Sequence, residues 1–415
     1  MGLTCAYRLL QRGYRVTVFE ADDRIGGMSA CFDFGGTVIE RYYHFINLPD
    51  EHTIDFAREL GIRHKIRWTL TKMGFYYKGR LYRWGDPLSL LAFPGLGLIT
   101  KLRYGLHALW SSNISDWKKL DGIEASEWIR KWIGKKGYDI LWRMLFEKKF
   151  YQYAKPLSAA WIGTRIRRVG RSRKNMFQEK MGWFEGGSHT FLAALEDAIL
   201  SMGGDIRLKC PVKKVEVENG RVSGVTTKEG LQGFDAVVST IPLPYVPKLV
   251  PDLPEAYLQK VTAIRNIGVV CVIARLQKAV TGNFWLNIND PSIDIPGLIE
   301  ISNLRGDLST HIVYAPYYMP ESCPMWRESE SYFATKTQKY LSQINPELAD
   351  GDILDIRAMR YRYAQPICPP GYFAKLPPYE TGITNLLVAD TTHSYPEDRS
   401  VNECIRIATE LSKRL

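Results

Sequence analysis

Gly2, Glu20 and the pair Gly26-Gly27 are the residues whose types and spacing come nearest to a binding chemistry. Leu3, Ala6, Leu9 and Leu10 recur at helical spacing behind Gly2, and Gly13 ends the pattern. Tyr14–Phe19 then reads as a buried strand ending at Glu20. A glycine at the helix start permits close packing on the strand, and the helix N-terminus offers free amides to an anion. Glu20 follows Gly2 by 18 residues, the spacing of a carboxylate that holds a ribose hydroxyl. An ordinary helix followed by a strand has the same outline. The stretch Glu20-Ala-Asp-Asp-Arg-Ile-Gly-Gly27 says more. Paired glycines let backbone amides approach phosphates, and Arg24 adds positive charge.

The elements that must position these residues are spread along the chain. Helix then strand is the second half of a βαβ unit. The pattern returns at Gly186-Gly187, which leads into an apolar-faced helix ending at Gly203-Gly204. Asp205–Leu208, Val212–Val217 and Val222–Val225 read as strands, with Asn219-Gly220 the turn of a hairpin, and Phe234–Ile241 as a further buried strand. Asn385–Asp390 and a helix from Val401 close the chain. Two blocks of different character, about 49–181 and 244–378, interrupt these pieces.

Composition sets further bounds. Of 415 residues, 45% are hydrophobic and 12% aromatic, which supports a packed core and at least two domains. The 7 cysteines are scattered and never spaced C-x-x-C, so neither a zinc site nor a disulfide framework is predicted, and a reducing, cytoplasmic setting fits. The opening residues lack the pattern of a signal peptide. A net charge of +11 invites an anionic partner, and much of the excess lies in Arg165–Lys174. That run reads either as a solvated loop between domains or as a contact for an anionic ligand or membrane. No nucleic-acid-binding module accompanies it. Leu88–Trp110 is apolar but too interrupted to span a membrane. It suits an interfacial membrane helix or the wall of a large hydrophobic cavity.

Four blocks in order resemble the FAD-binding amine oxidase superfamily, which includes protoporphyrinogen oxidases and phytoene-type desaturases. They are Arg24-Ile-Gly-Gly27, Trp183-Phe-Glu-Gly-Gly187 with Val212, Asp235–Pro242, and Leu387-Val-Ala-Asp390 with Asn402. The resemblance departs from the family in two places. Ala389 stands where glycine usually precedes the acid. Met1-Gly2 is similar to the tail of a longer Gly-x-Gly-x-Met-Gly, which predicts that the coding sequence continues upstream.

The resemblance implies an α/β fold with a Rossmann-like FAD-binding domain of the GR2 flavoprotein type and a discontinuous mixed α+β substrate domain. Segments 1–46, 183–245 and 380–415 would form the first, and 47–182 and 246–379 the second. FAD is the implied cofactor, with Gly2, Glu20, Arg24, Gly26, Gly27, Val212, Ser239 and Asp390 as implied contacts. Phe34–His44 and Arg360–Pro366 would lie by the flavin ring, which makes His44, Arg41 and Tyr361 the candidate catalytic residues. His44 reads as a general base, as a hydrogen-bond partner of substrate, or as a buried histidine satisfied by backbone. Amine oxidases of the group place a lysine after a glycine in one inserted strand. The comparable Ile267–Ile273 has none, which favours dehydrogenation of an apolar or bulky molecule. The implied activity is that of a flavin oxidase or desaturase, with peripheral membrane contact and no nucleic acid. A redox-neutral flavoenzyme for a nucleotide sugar is the alternative, and a shortened FAD-fold protein of little activity is a third reading.

Overall fold

The computed structural model describes residues 1–415. Its largest element is a seven-stranded sheet in which Asn266–Leu276 lies between His311–Met319 and Ile353–Pro366, antiparallel to both. Successive side chains of a strand point to opposite faces. Val270, Val272 and Ala274 therefore enter a core shared with Phe333 and Leu341 of the helix Glu330–Ile344, whereas Val269, Cys271 and Ile273 enter the larger core on the other face. Burial on both faces accounts for the unbroken apolar run.

The βα pieces assemble as expected in kind but shorter in extent. The first helix spans Gly2–Gln11 and the strand after it Thr17–Phe19, which pairs in parallel with Asp205–Arg207. Val237–Ser239 pairs in parallel with Leu386–Val388, so the expected strand Phe234–Ile241 is cut to its centre. The two parallel pairs are not hydrogen-bonded to each other. Val16 and Val18 beside the first pair and Val237 and Val238 of the second line the main cavity. The hairpin at Asn219-Gly220 stands as read, with both residues at positive φ (+52° and +74°), as its tight turn requires.

The basic run is the clearest correction. It is no loop. Ala159–Arg171 is a helix, started by Ser158, whose hydroxyl accepts the Ala160 amide at 3.2 Å. Three of its four arginines are used internally: Arg168 pairs with Asp50 at 2.7 Å, Arg165 with Asp398 at 3.3 Å, and Arg167 with Glu397. Those carboxylates lie far away in sequence, so local charge density could not reveal the pairing. Leu98–Ser112 is a helix packed on this one, and a shorter helix, Pro87–Ala92, precedes it.

Candidate active site

One cavity of about 2670 Å³ reaches from the first helix to the seven-stranded sheet and is lined by residues of both parallel pairs. Gly2, Glu20, Arg24, Gly26, Gly27, Val212, Ser239 and Asp390 all line it, as do Arg41, His44 and Tyr361. Residues up to 388 positions apart in sequence are thus brought to one space.

At one end lies the glycine turn. Gly26 and Gly27 have φ of +110° and +57°, conformations that side chains rarely adopt. A Cβ on Gly26 would lie 2.7 Å from Leu192 Cδ1, whereas nothing stands within 4 Å of the equivalent point on Gly27. The turn is therefore packed on one side and open on the other. Glu20 ends its strand and folds one oxygen back onto the Asp22 amide at 2.9 Å. The Ser239 hydroxyl is buried with no partner, a group that a ligand in the cavity can satisfy. An open glycine turn, a helix N-terminus, a free carboxylate oxygen and an orphan hydroxyl on one wall fit a dinucleotide.

Other expected contacts are already engaged. Arg24 is paired with Asp23 at 2.6 Å and donates to the Cys31 carbonyl at 3.0 Å. Asp390 accepts the Thr392 amide at 2.8 Å and the Leu243 amide at 2.9 Å. It joins the turn at 391–394 to the one at 242–243, a positioning task. The Gly186-Gly187 turn is held by acids: Asp307 accepts the Gly186 amide at 2.8 Å and Glu40 the Ser188 amide at 2.7 Å.

The candidate catalytic residues separate. Arg41 is held by Asp22 in a two-pronged ion pair. His44 is half-buried, and both ring nitrogens are occupied: Nδ1 donates to the Tyr42 carbonyl at 2.6 Å and Nε2 accepts from the Ser29 hydroxyl at 3.1 Å. Burial lowers its pKa, and the neutral ring is satisfied as it stands. These two partners hold the ring in one orientation at the cavity wall. Tyr361 and Tyr363 are half-buried while Arg360 and Arg362 are exposed, so the strand alternation turns the tyrosines inward. Tyr361 packs on Tyr42 with ring centroids 6.1 Å apart, and burial pushes its hydroxyl up to about 12. Tyr43 continues the aromatic wall, edge-on to Trp285 at 5.6 Å, with its hydroxyl 3.4 Å from that of Tyr318.

Over residues 2–410 the chain matches the pattern of the family described as flavin containing amine oxidoreductase. The chain belongs to that family. Its members are FAD-dependent oxidoreductases, and the resemblance read from four short blocks holds over nearly the whole length. Among curated relatives, a protein named as a flavin-containing monoamine oxidase of Mycobacterium tuberculosis is 26% identical over 147 residues, covering 31% of this chain and 30% of its own. Protoporphyrinogen oxidase 2 of Arabidopsis thaliana is 27% identical over 151 residues, covering 34% of this chain and 28% of its own. Each match thus spans under a third of the relative. The crystal structure of cyclohexylamine oxidase from Brevibacterium oxydans superposes with a TM-score of 0.72 at 16% identity, covering 99% of this chain and 95% of the other. At that identity the likeness establishes the fold alone.

Two features of this family member escaped the sequence reading. The buried Glu40–Arg305 pair joins residues from distant segments and leaves no local signal. Lys149 did leave one. It lies three residues after Phe146 and four after Leu145, on the apolar face of the helix Met144–Phe150.

Proposed function

We infer that this chain is an FAD-dependent oxidoreductase that dehydrogenates a bulky, largely apolar small molecule. The observation that carries the reading is the single cavity joining an open glycine turn to an aromatic wall. Bound FAD supplies the acceptor for the hydride that leaves the substrate. The amides of Gly26 and Gly27 and the start of the helix Gly2–Gln11 hold the pyrophosphate, Glu20 the ribose and Ser239 a further polar group. Tyr43, Tyr361 and Trp285 orient the substrate by its apolar faces and keep water away. Val269 and Cys271 are what the central strand presents to this space, and neither would favour or repel an amine. An apolar substrate suits such a wall. The segments 1–46, 183–245 and 380–415 serve the cofactor in this reading, and 47–182 with 246–379 the substrate.

A peripheral membrane contact belongs to the same reading. Leu98, Ile99, Leu102, Leu106 and Leu109 are 57–74% exposed on one helix, too much apolar surface for plain solvation. Met176 and Phe177 are exposed as well, with Arg103, Arg171 and Lys174 also exposed in these segments. Tyr104 and Ala108 of the same helix, and Met176, line the cavity, so an apolar substrate has a path from the lipid surface. No helix is long and apolar enough to cross a membrane.

The test is direct. Purified full-length chain is expected to show a flavin absorbance band, to release FAD on denaturation, and to consume oxygen or an artificial electron acceptor with a turned-over apolar substrate. Protein that stays colourless after incubation with FAD refutes the reading.

A further inference from the structure

Lys149 is 8% exposed, and its ammonium stands 5.3 Å from the ring centroid of Tyr318 and 5.6 Å from that of Phe150. A buried lysine is ordinarily matched by a carboxylate, because an unpaired charge in an apolar setting is costly. The arginines nearby have theirs, Arg165 in Asp398 at 3.3 Å and Arg168 in Asp50 at 2.7 Å. Lys149 has no ion-pair or hydrogen-bond partner, and it lines the cavity. Arg399 lines it too, without a carboxylate of its own: its guanidinium donates to the amide oxygen of buried Gln365. The charges that act on Lys149 are Arg165, Asp398 and Arg399, and of these only Arg165 and Asp398 are paired with each other. Burial chiefly, and then Arg165, hold the amine well below the usual lysine range; Asp398 opposes them and Arg399 adds to them. An anion arriving beside the amine would reverse that.

Resting on the function proposed above, we propose that Lys149 and Arg399 form an anion-binding subsite in the cavity, which receives a carboxylate or phosphate carried by the otherwise apolar substrate. The aromatic wall takes the apolar body, and the two cations fix the molecule's orientation through its charged end. Lys149 comes from the helix Met144–Phe150 and Arg399 from the turn before the helix Val401–Ser412, and both line the same cavity.

The probes are octanoate, octyl phosphate and uncharged octanamide, titrated calorimetrically into flavin-loaded full-length protein. One or both anions are expected to bind at least about tenfold more tightly than octanamide, and the tighter of the two identifies the group. Lys149→Met and Arg399→Gln should each reduce that preference to about twofold or less and leave octanamide binding unchanged. Lys149→Arg keeps the charge and should keep the preference, which guards against a Lys149→Met protein that fails to fold. Equal affinities in the wild type, or a preference that survives both neutral variants, overturns the proposal. Flavin content is read separately from absorbance before each titration, so loss of the cofactor reading is distinguishable from loss of the subsite.

Discussion

The carboxylate of Glu40 lies 3.6 Å from the guanidinium of Arg305, and each side chain is only 4% exposed. Glu40 also accepts the Ser188 amide at 2.7 Å, and Arg305 reaches Asp307 at 3.0 Å. One buried group of charges thereby ties the strand Val38–Glu40, the start of the helix Ser188–Ser201 and the turn after Ile301–Asn303. Glu40→Ala strands the helix amide and half of the arginine, and should cost about 3 kcal/mol, the low end for breaking a buried pair because Asp307 remains. Glu40→Gln keeps an acceptor for Ser188 and should cost less. Urea denaturation measures both, and an alanine variant within about 0.5 kcal/mol of wild type would show that the clamp is idle.

Gly26 and Gly27 should respond differently to alanine. At Gly26 the new methyl meets Leu192 at 2.7 Å and the Ala30 backbone at 3.1 Å, so thermal stability should fall. At Gly27 the methyl enters open space, with a left-handed backbone cost of about 1 kcal/mol. Gly27→Ala should therefore fold and yet bind FAD at least about tenfold more weakly, because the methyl occupies the room through which amides meet phosphate. Flavin retention after gel filtration, set beside the melting temperature, separates the two. Equal retention in Gly27→Ala and wild type would remove this turn from the cofactor site.

Glu179 predicts a pH effect. Burial raises its carboxyl from 4.5 to about 7, against the lowering influence of a Thr71 hydrogen bond and of Arg173. The folded state thus holds a proton that the unfolded state has released between those values. Its contribution to stability is present in full below about pH 4.5 and is lost as pH rises through about 7, by about 3 kcal/mol in all. Glu179→Gln should lack this slope. Unfolding free energies measured from pH 5 to 8 should give curves for the two proteins that diverge up to about pH 7 and then run parallel; parallel curves throughout would place the carboxyl in its ordinary range.

The exposed leucines make the membrane contact testable. Leu102→Ser with Leu106→Ser removes apolar surface that supports no core, so the fold should hold within about 1 kcal/mol while sedimentation with phosphatidylglycerol vesicles falls severalfold. Wild-type binding should weaken with added salt and be lower on phosphatidylcholine, since the basic side chains respond to anionic headgroups. Indifference to both substitutions would end the idea.

Much of the fold was legible from the chain itself. The helix behind Gly2, the strand ending at Glu20, the hairpin turn at Asn219-Gly220 and a strand around Val269–Ile273 follow from periodicity and turn chemistry, which act over a few residues. The same locality made the glycine turn visible, since positive φ at Gly26 and Gly27 is a property of the backbone there. What each charged side chain does is a different matter. Arg41 faces Asp22, Arg168 faces Asp50 and His44 is held by Ser29 and Tyr42, partners that local spacing does not name. Residue types and spacing determined the family, the cofactor class and the glycine turn. Only the tertiary structure decided which charges are matched and which, like Lys149, are left facing the cavity, because a charge is neutralised by whatever folding brings near it and its partner carries no mark in the chain.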